Sequence, residues 1–334
     1  MSEAGDYDPG PWAGRSFSAA KAYYDDDVVQ RSYSRAKAAG KKRSDLVPES
    51  ICTQSTCPFI IATDITGSMD KWPGVIFSKL PYLDHEARTE YLGEDMEICF
   101  IAFGDANEPR PDEYPVQVRP FAKGTDLEEQ LKQFVMASDG GGQMMENYEL
   151  AGIYCARNVE MPKAVRPILI FIGDEAPYSH VSKDQAEEIA RVSLKGNLST
   201  EKLFDELKQK YTVYFIQKPY GSNTSSGDAM SPDTLSIYRK WAPLIGEDHI
   251  AALPEAGRVV DVIFGILAKE SGKVDYFEDE LKGRQTKAQV ATVMKSLKSI
   301  HAALPNPDPT SSKGRSKLIS AGKSKATGKT KPLA

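Results

Sequence analysis

The sequence predicts an α/β fold: a doubly wound, mostly parallel sheet with helices on both faces. Three observations carry that prediction. Short continuous apolar runs rich in Ile, Phe and Val recur through the middle of the chain: PFIIAT (58–63), EICFIAF (97–103), PILIFIG (167–173), TVYFIQ (212–217) and the weaker HIAAL (249–253). Runs of this kind suit parallel strands covered on both sides. Amphipathic stretches at helical spacing separate them, over 125–135, 146–158, 183–194, 199–210, 231–244 and 257–270. Strand alternating with helix implies βαβ units in one open sheet. Finally, 334 residues with 40% hydrophobic content supply a sizeable core without disulfides or a structural metal.

The ends of the chain differ from its middle. Residues 1–49 form an arm that opens loop-like, with Gly and Pro at 9–11, and that is helical over about 16–40, where Gly40 is a stop. Residues 273–303 are expected to be a helical extension. Residues 304–334 hold six Lys and one Arg against one Asp, a basic tail expected to be disordered, which leaves a net charge of −11 on the remainder of a chain whose total is −5. That balance excludes a globally basic nucleic-acid coat. No window approaches the roughly 18 uninterrupted apolar residues of a membrane span. The first thirty residues hold no apolar core, so no secretory leader is expected. Cys52, Cys57, Cys99 and Cys155 are too few for a disulfide framework. Cys99 and Cys155 sit in apolar runs as small hydrophobes. A reducing, cytoplasmic compartment is the expectation.

Doubly wound sheets bind ligands at the carboxyl ends of their strands, so the residues just after each apolar run matter most. The first run ends in Asp64-Ile65-Thr66-Gly67-Ser68-Met69-Asp70. In a loop leaving a strand, the alternate side chains of Asp64, Thr66 and Ser68 turn toward one point. A carboxylate and two hydroxyls converging there make a hard-oxygen site suited to Mg²⁺ or Mn²⁺. The run 167–173 ends in Gly173-Asp174-Glu175, which sets a second acid at the same sheet edge. Between them lies Ser138-Asp139-Gly140-Gly141-Gly142-Gln143, a loop whose glycines let backbone approach a ligand closely.

On these residues the chain resembles the von Willebrand factor A (vWA) domain family, intracellular type, over roughly 58–270. Asp64, Thr66 and Ser68 match the D-x-S/T-x-S element of its metal-ion-dependent adhesion site. FIGDEAPY matches the later acid through Asp174, and WAPLIGEDHIAALP followed by RVVDVIFGIL looks like its closing strand and helix. The resemblance implies a vWA domain over 50–272. It also implies Mg²⁺ (or Mn²⁺) held by Asp64, Thr66, Ser68 and Asp174, and a partner protein whose acidic side chain takes the open position on the ion. The family's loop threonine has no counterpart. Gln143 stands after the glycines, and the third corner falls to Gln143, to Glu146 or to water. Many intracellular relatives work beside AAA-type ATPases, so a binding role in a larger complex is expected, not an enzymatic one.

Two other functions compete. A nucleic-acid-linked scaffold would use the basic tail through counterion release, although no aromatic residue interleaves with its lysines. A metal-dependent hydrolase would use the same ion to activate water, with Asp70, Glu175 or Glu146 as the nearest bases. The tail segment Gly322–Gly328-Lys329-Thr330 is not a phosphate-binding loop, since five residues separate its glycines instead of four. His180 is expected at the protein surface, near the rim of the Asp174 loop. The sequons at Asn197 and Asn223 are expected to be unmodified.

Overall fold

Six strands form one sheet in the computed structural model, which describes residues 32–69, 71–107, 111–136, 144–221 and 230–301. They are β1 (Phe59–Asp64), β2 (Ile98–Phe103), β3 (Val116–Val118), β4 (Ile168–Gly173), β5 (Thr212–Gln217) and β6 (Ile250–Ala252). The spatial order is β3-β2-β1-β4-β5-β6. All neighbours are parallel except β2 and β3. Every residue of β1, β2 and β4 is buried, as strands covered on both sides must be.

Alternate side chains along each strand divide between two cores. Phe59, Ile61, Ile98, Phe100, Ile170 and Ile172 face one way; Ile60, Ala62, Ile101, Phe103, Leu169 and Phe171 face the other. The first core is covered by α2 (Lys71–Ser78), α3 (Leu80–Glu86), α4 (Asp126–Leu131), α9 (Val259–Ser271), α10 (Val274–Arg284) and α11 (Lys287–Ser296). The second is covered by α5 (Tyr148–Arg157), α6 (Lys183–Glu188), α7 (Thr200–Lys210) and α8 (Pro232–Ile245). A short α1 (Tyr33–Ala38) precedes the sheet, and Gly40 follows it at φ +68°, the left-handed stop expected from the sequence. No helix among the described residues is long and apolar enough to cross a membrane.

The chain runs outward from β1 through β2 to β3, then returns to the opposite side of β1 with β4. The sheet therefore reverses direction between β1 and β4, and a crevice opens where their carboxyl ends diverge. Asp64 closes β1 and Asp174 follows β4, so both sequence-predicted acids stand at this reversal.

Five of the six strands lie where the apolar runs place them. β3 was not anticipated: it has three residues, too few for a periodic signal, and it joins the sheet edge antiparallel. Also unanticipated were α2 and α3, which carry Pro73 and Pro81. Two predicted helices are shorter than expected; α6 ends at Glu188, and Arg191 just beyond it has φ +55°. The stretch 146–158 does not begin as helix. Met145–Glu146 instead pairs in parallel with Ala176–Pro177, and α5 starts at Tyr148. The described part of the extension holds α10 and α11, and its Phe277, Leu281, Val293, Leu297 and Ile300 join the first core. Cys99 and Cys155 are fully buried and all four thiols are free. The basic tail, residues 1–31, Asp70, the glycine loop with Gln143, and Asn223 lie outside the described residues.

The start of α9 is fastened by a fully buried ion pair. Arg258 Nη1 donates to Asp261 Oδ2 at 3.0 Å, and Gln285 Nε2 donates to the same oxygen at 3.1 Å. Truncating one member of such a pair costs about 3–5 kcal/mol, whereas replacing both by apolar groups costs far less. Asp261→Ala is thus expected to lower the urea midpoint sharply, and Arg258→Met/Asp261→Leu to lower it less than the single change does.

Candidate metal centre

Asp64 is fully buried, and its own loop folds back onto it. Its Oδ1 accepts the Thr66 backbone N–H at 2.7 Å and the Thr66 hydroxyl at 2.7 Å. This is the turn an aspartate makes with the residue two positions on. Ile65 N–H donates to the Phe103 carbonyl at 3.1 Å, which fixes the loop to the end of β2. A 3₁₀ turn over Gly67–Met69 follows, with Met69 buried beneath it. The turn sets Ser68 Oγ 3.4 Å from Thr66 Oγ1 and lets it donate to Asp174 Oδ1 at 2.9 Å. Asp64, Thr66, Ser68 and Asp174 therefore form one continuous chain of oxygens across the β1–β4 crevice. Four of the five predicted site residues are brought together; the fifth, Gln143, lies outside the described residues.

Asp174 is positioned by a close approach of backbone to ring. A Cβ added at Gly173 would lie 1.9 Å from Tyr148 Oη and 2.9 Å from its Cζ. Only glycine lets β4 pass there. The Tyr148 ring is locked by Phe103, Phe171, Phe215 and Trp241, with centroids 4.5 to 6.1 Å away. Trp241 stacks on Phe215 at 4.0 Å, and its Nε1–H donates to the Glu175 carbonyl at 2.9 Å. The segment leaving β4 is thus held on both sides of Asp174.

Three further acids crowd the crevice. Glu146 is pinned beside it by the pairing of Met145–Glu146 with Ala176–Pro177. Glu175 follows Asp174 directly. Asp105, just past β2, accepts the Tyr178 hydroxyl at 3.0 Å and the Asn107 N–H at 2.9 Å. Asp64 Oδ2, Glu146 Oε2 and Glu175 Oε2 are buried with no hydrogen-bond partner among the described residues. Burial first, and then the charge of Asp174, pushes Asp64 up to about 7 and Glu175 up to about 8. Burial and the charge of Asp64 hold Glu146 well above the usual carboxylate range. Each therefore has reason to take up a positive charge, as a proton or a cation.

Asp174 has such a charge at hand. Lys218, one residue beyond β5, donates from Nζ to Asp174 Oδ2 at 2.7 Å. Lys218 and Asp105 were missed in the sequence, though each stands within two residues of the end of an apolar run, where the other site residues were found. His180 is exposed, and its ring Nδ1 lies 2.9 Å from the Ser179 hydroxyl.

Among the described residues no group of three or more His, Cys, Asp or Glu is arranged to cage a metal. The arrangement is of another kind, two carboxylates and two hydroxyls. That donor set, with an unpartnered buried oxygen on Asp64, has the chemistry a small hard cation takes.

Two predictions follow from this packing. Gly173→Ala should destabilise the protein by about 1–3 kcal/mol in chemical unfolding, the usual cost of overpacking. Adding Tyr148→Phe should restore part of that loss by removing the nearer of the two clashing atoms. Glu149, fully buried in α5, accepts from Asn147 Nδ2 at 2.7 Å and from the Tyr178 N–H at 3.2 Å. Burial pushes it up to about 8. A raised carboxyl pKa contributes stability that is complete below the unfolded value and lost as pH rises through the folded one. Between pH 5 and 8 the wild type should therefore lose stability relative to Glu149→Gln, by up to about 1.4 kcal/mol per pH unit, in melts across that range.

No family model matches the chain, and no curated protein matches it. Among solved structures it is similar to the pilus adhesin SpaC from Lactobacillus rhamnosus GG, at 11% identity and a TM-score of 0.43, covering 67% of this chain and 31% of that one. The open conformation of SpaC matches at 10% identity and the same TM-score. Proximal thread matrix protein 1 from the mussel byssus matches at 10% identity with a TM-score of 0.39, covering 66% of this chain and 46% of that one. The chain spans less than half the length of each of these proteins.

Proposed function

We propose that this chain is a binding module of the vWA type, in which a divalent cation, Mg²⁺ or Mn²⁺, at the β1–β4 crevice mediates capture of a partner protein. The observation that carries this reading is the run of oxygens Asp64–Thr66–Ser68–Asp174, which ends on an Asp64 Oδ2 that is buried and lacks a hydrogen-bond partner among the described residues. Hydroxyl donors from Thr66 and Ser68 neutralise little of a cation's charge, and such an ion stays a strong acceptor for one more oxygen ligand. A carboxylate from a partner is the ligand of matching chemistry. Glu146, buried beside the crevice with an Oε2 that has no hydrogen-bond partner among the described residues, takes the corner that the family fills with a threonine.

In this reading the protein's own residues have separate tasks. Asp64 holds Thr66 by two hydrogen bonds and keeps one oxygen for the ion. Ser68 ties that loop to Asp174. Gly173, Tyr148 and Trp241 fix the height of Asp174 at the sheet edge. The bound ion supplies the electrophilic point at which an acidic side chain docks. A role in a larger complex, beside an AAA-type ATPase, remains the expectation from the family resemblance.

The test compares wild type with Asp64→Asn and Ser68→Ala, variants that keep the shape of the loop. Mg²⁺ at millimolar concentration should raise the melting temperature of the wild type by a few degrees and leave both variants unmoved. The same pattern should appear in pull-downs from native lysate with Mg²⁺ or with EDTA: a protein held by wild type with metal, and released by EDTA or by either substitution. Melting and capture indifferent to metal in all three proteins would refute the proposal.

A further inference from the structure

Lys218 stands against the very carboxylate that the proposed ion requires. Its backbone N–H donates to the Gly173 carbonyl at 2.9 Å, which carries the β4–β5 pairing one residue past the strand and sets the two side chains adjacent. Its ammonium donates to Asp174 Oδ2 at 2.7 Å and reaches the Pro219 carbonyl at 3.4 Å. Asp174 Oδ1 already takes the Ser68 hydroxyl at 2.9 Å. Both oxygens of Asp174 are thereby engaged by the protein itself, while Asp64 Oδ2 has no hydrogen-bond partner among the described residues. The Asp174 side chain is 0% exposed and that of Lys218 is 17% exposed, so the ammonium has a way out to solvent and the carboxylate has none.

We propose that Lys218 is a resident counter-ion that competes with the divalent cation at this centre, so that the metal enters by drawing Asp174 away from the ammonium. The inference rests on the reading of the crevice as a metal site. A positive charge fixed within hydrogen-bond reach of a ligand carboxylate repels an incoming cation, and at a buried position salt does little to weaken that repulsion. A lysine suits the task. It is a point charge on a flexible stem, where an arginine's planar fork would lock onto the carboxylate with two bonds. Without metal, the pair neutralises Asp174 and closes the crevice. With metal, the released ammonium stays at the rim, beside the position where a partner carboxylate arrives. Acidic partners that offer two neighbouring carboxylates then gain a second anchor.

The experiment is calorimetric titration of Mn²⁺ alone into the wild type, Lys218→Met, Lys218→Gln and Lys218→Arg, each checked for folding by its melt in EDTA. Lys218→Gln keeps a hydrogen-bond donor for Asp174 and safeguards the comparison should the methionine variant fold poorly. Both neutral variants should bind Mn²⁺ at least tenfold more tightly than the wild type, and Lys218→Arg no more tightly. Metal binding by the neutral variants but not by the wild type would support the inference still more strongly. Equal or weaker binding by the neutral variants, with the wild type binding, would overturn the inference and leave the metal site standing. Absence of binding in all four proteins would overturn both.

Discussion

Two buried carboxylates at the ends of adjacent parallel strands repel each other, and neither has bulk water to absorb its charge. That constraint shapes the whole carboxyl edge of this sheet. Asp64 and Asp174 are both fully buried because the strand order reverses between β1 and β4 and brings the two ends together. Thr66, with its N–H and hydroxyl, answers one charge; Ser68 and Lys218 answer the other. Glu146, Glu175 and Asp105 add further negative charge nearby, and all three are pushed toward the protonated form by burial. This edge gathers much acid at one place and leaves three of its oxygens without a hydrogen bond among the described residues, which is the observation behind the proposed cation site.

The packing beneath the crevice keeps that arrangement rigid. Tyr148 fills the space that any side chain at position 173 would need, and four aromatic rings hold it there. Trp241 belongs to the same aromatic cluster and hydrogen-bonds the backbone of Glu175. Core packing and site geometry are therefore one structure, since the rings that stabilise the second core also set where Asp174 stands. Arg258 and Asp261 fasten the start of α9, which belongs to the first core, and there each buried charge has an opposite charge beside it.

Much of this was legible in the sequence because burial on both faces leaves a plain mark. Strands β1, β2, β4 and β5 are unbroken apolar runs, and Asp64, Thr66, Ser68 and Asp174 follow such runs directly, so their gathering at one sheet edge could be read from position and side-chain type together. What escaped has physical reasons. β3 is an edge strand of three residues whose place depends on pairing with β2, not on its own pattern. α2 and α3 carry prolines that interrupt the helical signal. Glu146 was already a candidate for the third corner, but its conformation was not: it reads as the first residue of a helix, and long-range pairing with Ala176–Pro177 draws it into a short strand. Lys218 carries no such mark, because a cation after a strand acquires meaning only once Asp174 is known to be its neighbour.

The central claim is that the oxygens at the β1–β4 crevice bind a divalent cation. Diffraction from crystals grown with Mn²⁺, using its anomalous signal, tests that claim most directly. One strong anomalous peak in the crevice, with Asp64, Thr66, Ser68 and Asp174 as the residues that would hold the ion, is the expected result. A crevice without a peak at saturating Mn²⁺, with Lys218 still on Asp174, would contradict it.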